Sequence, residues 1–213
     1  MTLFGRMLVE EYRLHTSLFG SRRFLAFPLL VAVIVAVGVW LLDATGTELP
    51  AVVAGLHALV AFFGLQVGTL GLVGRDAMRN LLGDTTLLVF SARTLPISWR
   101  RLLGTFLLKD LVYYGAVFLT PLVAGFAPIA AVGGFEPAQL ALLWGTLVAT
   151  FALGASGSLA LVGLGTRTVG GLLAAVAVLV ATALVWPSSV VAATPYAVYA
   201  DPSPRGAFVA AVP

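Results

Sequence analysis

The sequence predicts an all-α membrane fold, an amphipathic N-terminal helix followed by about five transmembrane helices, and three observations carry that prediction. Of its 213 residues, 60% are hydrophobic and 10% charged, against about 45–50% and about 25% in a soluble domain. Charge-free apolar runs of spanning length recur along the chain. The basic residues gather in some of the segments between those runs and avoid the others. This composition excludes a water-soluble globule. It also excludes disorder, because so apolar a chain has more surface to bury than the entropy of ordering opposes. With no cysteine, disulfide frameworks and thiolate sites are excluded. With His15 and His57 as the only histidines, a histidine-built metal site is not expected. The net charge of +3 and pI near 9.7 are read as signals of topology, and no nucleic-acid partner is expected.

Residues 1–23 form the first element. Phe4, Met7, Leu8, Tyr12 and Phe19 recur at spacings near three and four, while Arg6, Glu10, Arg13 and Ser17 share another face, the pattern of an interfacial amphipathic helix. Such a helix lies in the headgroup plane with its aromatics buried and its arginines toward anionic lipid.

Residues 24–213 form the transmembrane domain. Five stretches free of Asp, Glu, Lys and Arg follow one another: Phe24–Leu42, Leu49–Gly74, Leu111–Phe135, Pro137–Thr166 and Thr168–Ala200. Pro187 interrupts the last, so its span is expected to end near Trp186. Each is expected to be a helix, since lipid offers backbone groups no partners and none shows the alternation of a barrel strand. The first run is longer than a signal-peptide core and no small-residue cleavage site follows it, so it reads as a retained anchor.

Orientation follows from the basic residues. Arg6, Arg13, Arg22 and Arg23 precede the first span; Arg75, Arg79, Arg93, Arg100, Arg101 and Lys109 lie between the second and third; Arg167 separates the fourth and fifth. These are eleven of the twelve. The other side holds Asp43, Glu48, Glu136, Asp201 and Arg205. The positive-inside rule then predicts a multi-pass protein of the cell membrane with its amino terminus in the cytoplasm.

The long cytoplasmic connection, residues 75–101, is divided by turn chemistry. Gly83-Asp84-Thr85 is suited to end one helical piece and cap the next. Leu87, Leu88 and Phe90 give that piece an apolar side. Pro96 stops it by pushing Leu95 out of the helical region, and Ser98 is placed to cap the helix that carries Trp99, Arg100 and Arg101 into the third span. A short, partly apolar helix held between two spans is what a membrane protein would present to a soluble partner; the competing expectation is that it only snorkels at the interface.

These residues resemble the permease subunits of the type-2 ATP-binding-cassette transporters, mostly exporters, in layout and in two strings. One is Gly83-Asp84-Thr85-Thr86-Leu87-Leu88; the other is Leu95-Pro96-Ile97-Ser98 followed by Arg100, Arg101, Leu102, Leu103 and Gly104. The resemblance implies an elbow helix over residues 1–23 and a coupling helix in the 75–101 loop. It also implies a second permease subunit and a separate ATPase touching Asp84, Thr85, Thr86, Leu87, Leu88, Phe90, Arg93, Leu95, Pro96, Ser98 and Arg100. Two departures stand out: Arg75, Asp76 and Arg79 mix signs where the family is acidic, and Thr105 replaces its lysine. The family generally has six spans, and here Phe208–Val212 alone could begin a sixth, so the chain is either a fragment of a six-helix unit or has its final span supplied differently. The haem-exporter membrane subunit of cytochrome maturation is a relative of similar length in the same broad class.

No G-x-x-x-x-G-K-[ST] string occurs, so the chain is not expected to be an enzyme: ATP belongs on the partner subunit and no cofactor on this chain. Gly154-Ala155-Ser156-Gly157 resembles the serine motif of rhomboid proteases, but no histidine follows it to act as base. Close helix packing explains that small-residue cluster better, as it does Gly64 and Gly68. His57 and Gln66 are intramembrane polar residues suited to interhelical hydrogen bonds or substrate contact. Lys109 and Asp110 are expected to snorkel near the interface or pair elsewhere, leaving no charge fixed deep in a span. The competing class of function is a non-transporting membrane scaffold whose loop recruits a partner.

Overall fold

A computed structural model describes residues 2–73, 98–132, 136–165, 168–185 and 191–201. Among them every regular element is helical. Four stretches, Arg23–Ala44, Leu49–Thr69, Arg101–Ile129 and Pro137–Leu161, are long and apolar enough to cross a membrane. Two compact units divide the chain, one built from Met1–Val53 and Ile97–Val148, the other from Ala54–Pro96 and Ala149–Pro213.

The first unit opens with α1, Leu3–Phe19, whose N-terminus is capped by the Thr2 hydroxyl accepting from the Gly5 amide at 3.3 Å, and so relieves one of the four unpaired amides of a first turn. Gly20, at φ 77°, breaks the helix. The short α2, Ser21–Leu25, then leads into α3, Phe27–Ala44. At this bend the buried Phe24 meets Tyr12 edge-on at 5.8 Å and stacks with Phe27 at 6.1 Å and Phe19 at 6.4 Å. Aromatic packing of this kind, more than propensity, sets the angle between leader helix and span.

The end of α3 follows from backbone chemistry. Gly46 adopts φ 79°, its amide bonding the Asp43 carbonyl and that of Thr47 reaching back to Leu42, both at 2.9 Å. This paired pattern satisfies carbonyls that a helix end would orphan, and it needs a residue without a Cβ at the left-handed position.

The third membrane-length segment is α5, Trp99–Tyr114, continuing through a π-helical turn, Gly115–Leu119, into α6, Thr120–Val132. The Thr120 hydroxyl donates to the Gly115 carbonyl at 2.8 Å and accepts from the Trp144 indole at 3.1 Å, so the irregular ladder is anchored by side chains. Gly125 of α6 lies so close to the Ala32 backbone of α3 that a Cβ there would collide with it. Small residues permitting this approach are how helices associate where lipid removes the hydrophobic drive. Leu119, Leu122, Phe126, Leu143 and Leu147 are buried in this unit.

In the second unit run the larger part of α4, Leu49–Val73, the second half of α7, Pro137–Gly165, then α8, Val169–Val185, and α9, Pro195–Ala200. Here α4 and α7 pack backbone to backbone. A Cβ on Gly64 would stand 2.5 Å from the Phe151 carbonyl oxygen, and one on Gly154 2.5 Å from that of Ala61. Gly154 and Ala155 are buried at this seam, whereas Ser156 is exposed, as close packing demands.

One boundary differs from expectation. The third span starts at Arg101 and not at Leu111, because the expectation required a charge-free run and the helix carries Lys109 and Asp110 inside it. Of the expected fifth span, the described residues are helical over the 17 residues of α8.

Candidate functional site

The Met7, Glu11 and His15 positions recur every four residues and form one line along α1. That line faces α5: Met7 is buried, and the Glu11 and His15 side chains are 17% and 19% exposed. Tyr12 and Phe19 are 45% and 53% exposed at the protein surface. The face of α1 that meets α5 thus has a carboxylate at its centre.

Glu11 has a partner 98 residues away. The Lys109 ammonium bonds Glu11 Oε2 at 2.5 Å and Asp110 Oδ1 at 2.5 Å. Adjacent residues on a helix do not face each other, but the four-carbon lysine stem folds back far enough to span the gap. Lys109 also lies over the Phe106 ring, 4.7 Å from its centroid, a cation–π contact. Both side chains are closed off from the surface, Lys109 at 3% and Asp110 at 2% exposure. Of the two expected outcomes for this pair, snorkelling or pairing elsewhere, the second is found, with Glu11 as the partner. About 12 Å of helix separates Lys109 from Arg101 at 1.5 Å per residue. Unable to reach polar solvent, the ammonium is held by the carboxylate that α1 brings in.

Around this triad sit Tyr114, whose hydroxyl donates to Glu11 Oε1 at 3.4 Å, and Tyr113, whose ring lies 5.1 Å from that of His15. His15 Nδ1 is 2.9 Å from the Glu11 carbonyl. The Tyr113 hydroxyl and Asp110 Oδ2 are buried without a hydrogen-bond partner. Sequence reasoning missed this cluster, although a Glu and a His four residues apart, in line with Met7 on an otherwise apolar face, were its one local signal.

His57, the intramembrane polar residue expected on α4, is buried at 4% exposure. Its ring meets Tyr196 at 5.3 Å and Tyr199 at 6.0 Å, both from α9. Burial pushes the Tyr199 hydroxyl above its ordinary pKa, helped by neighbouring Tyr196, so it remains a proton donor at physiological pH. Gln66 is exposed on α4 and does not join His57.

Of the expected partner-contact residues, Asp84, Thr85, Thr86, Leu87, Leu88, Phe90, Arg93, Leu95 and Pro96 lie outside the described residues. Ser98 caps α5 as expected, its hydroxyl accepting from the Arg101 amide at 3.4 Å, and Arg100 lies in the first turn. Among the described residues no group of three His, Asp or Glu side chains is arranged to hold a metal ion.

No protein-family model, curated protein or solved structure matches the chain.

Proposed function

We propose that this chain is the membrane-spanning permease subunit of an ATP-binding-cassette transporter of the type-2 kind, an exporter powered by a separate ATPase that docks on the 75–101 loop. The observation that carries the reading is the order of parts: an amphipathic helix, two long apolar helices, a polar segment bearing the Gly83–Leu88 and Leu95–Ser98 strings, and a Ser98-capped helix entering the next span. Packing of α1 on α5 through Glu11 and Lys109 supports it further, since it ties the amphipathic helix to the span directly following that loop. Push and pull on the loop would then reach α1 through α5. In this reading the amino terminus is cytoplasmic, a second permease subunit completes the path, and ATP is bound by the partner alone.

The test is purification of the tagged chain from its native membranes in mild detergent, with identification of what accompanies it and an assay of ATP hydrolysis. A subunit with a Walker A motif should co-purify, and its recovery should fall at least tenfold when Thr86, Leu87 and Phe90 are replaced together by Ala. Recovery of the chain without an ATPase, under conditions that keep known transporters intact, would leave the scaffold reading.

A further inference from the structure

The cluster between α1 and α5 does not balance. Two carboxylates, Glu11 and Asp110, share one ammonium, that of Lys109. Facing them are Tyr113 and Tyr114 of α5 and Tyr12 and His15 of α1; His15 Nδ1 lies 2.9 Å from the Glu11 carbonyl and 3.7 Å from Glu11 Oε1, too far for a hydrogen bond to that carboxylate, so among these groups Lys109 is the one cation hydrogen-bonded to the acids. The ring of Phe24, from α2, brings no charge. With all three charged groups ionised, the cluster would hold one uncompensated negative charge in a largely enclosed site, where Lys109 and Asp110 are 3% and 2% exposed and Glu11 17%, which low-dielectric surroundings penalise.

From this count we infer that the cluster is a proton-binding site, and that one proton taken from the aqueous phase resides on Asp110 Oδ2. Three observations choose that atom. Glu11 receives two donors, Lys109 on one oxygen and Tyr114 on the other, so both its oxygens are hydrogen-bonded. Asp110 receives only Lys109, on Oδ1, and Oδ2 is buried with no partner. The Asp110 side chain is also the more enclosed of the two acids, at 2% exposure against 17% for Glu11. A proton on Oδ2 neutralises the surplus and leaves Glu11 and Lys109 as a one-to-one pair between the two helices. Its loss would place two like charges beside each other at the contact that holds α1. Docking of the amphipathic helix is thereby linked to proton binding, whether or not an ATPase acts on the chain.

Infrared spectroscopy of the full chain in lipid nanodiscs tests this. At neutral pH the wild type should show a protonated-carboxyl C=O band that moves on labelling the aspartate side-chain carboxyl with carbon-13, with an intensity of one group per chain. Asp110→Asn should abolish it. Glu11→Gln should abolish it too, because one carboxylate then faces one ammonium and Asp110 ionises. Both replacements are close to isosteric. Absence of the band from the wild type, its persistence in Asp110→Asn, or its survival in Glu11→Gln would each overturn the inference, as would a protonated His15 imidazole seen by nitrogen-15 NMR at the same pH. Because the chain has no cysteine, Ser17→Cys and Gly104→Cys spin labels at exposed sites of α1 and α5 can follow the linkage. Their distance distribution should broaden as alkali removes the band, and an unchanged distribution across that titration would refute the coupling to docking.

Discussion

Replacement of Lys109 by Met should be the most damaging single change in the first unit, costing about 3–5 kcal/mol, the usual penalty for removing one partner of a buried ion pair. The loss is large because Lys109 serves both Glu11 and Asp110, so its removal strands two acids at once. Glu11→Gln should be far milder, since a one-to-one pair between Lys109 and Asp110 remains. Combining Lys109→Met with Glu11→Gln and Asp110→Asn should restore most of the stability, because neutral groups of similar volume often replace a buried ionic cluster without loss. Thermal unfolding in detergent, followed by circular dichroism, would give the order. Wild-type behaviour of Lys109→Met would mean that the ammonium reaches the headgroups and that the triad holds nothing. Added salt should leave the ranking unchanged, since a pair this enclosed is poorly screened.

The second large effect is expected at the seam of α4 and α7. A methyl group on Gly64 would stand 2.5 Å from the Phe151 carbonyl oxygen and 3.1 Å from the Ala155 amide nitrogen. These are backbone atoms, so no rotamer change relieves the clash and the helices must separate. Gly64→Ala should cost about 1–3 kcal/mol, the range for overpacking a tight contact, and Gly64→Val more. Gly154→Ala, which meets the Ala61 carbonyl oxygen from the other side at 2.5 Å, should behave alike. Gly145→Ala and Gly157→Ala are the controls. Nothing lies within 4 Å of a Cβ at either, so they should be neutral or gain up to about 1 kcal/mol from higher helix propensity. Equal midpoints for Gly64→Ala and Gly157→Ala would remove close approach as the reason for these glycines.

How much of this could be read from the chain depends on the range of each interaction. The all-helical class, the first, second and fourth of the helices long and apolar enough to cross a membrane, and the Ser98 cap rest on composition and on neighbours three or four residues apart, and they were legible. The third span was misplaced by ten residues because charge was used as a boundary, whereas Lys109 and Asp110 are tolerated inside the helix by a carboxylate from α1. Nothing local announces a pair 98 positions apart. The contact of Glu11 with α5 was hidden for the same reason: periodicity gives the faces of α1, and which face meets another helix depends on a partner far away in the chain. The packing role of Gly64 and Gly154 was legible as a small-residue pattern, but which backbone atoms they admit was not.

The π-helical turn at Gly115–Leu119 bears on how the chain tolerates changes in its own length. A π turn closes each ring with one residue more than an α turn, so this stretch holds a residue that an uninterrupted α-helix of the same span would lack. Deleting one residue there would let the ladder revert to α while Lys109 and Asp110 keep facing Glu11 and Gly125 keeps facing Ala32. The same deletion elsewhere between Asp110 and Gly125 would swing one half of the span by about 100° relative to the other and uncouple one of the two contacts. The turn thus acts as slack: it is the one described place in the third span where the register of the upstream charges and that of the downstream glycine can be adjusted independently.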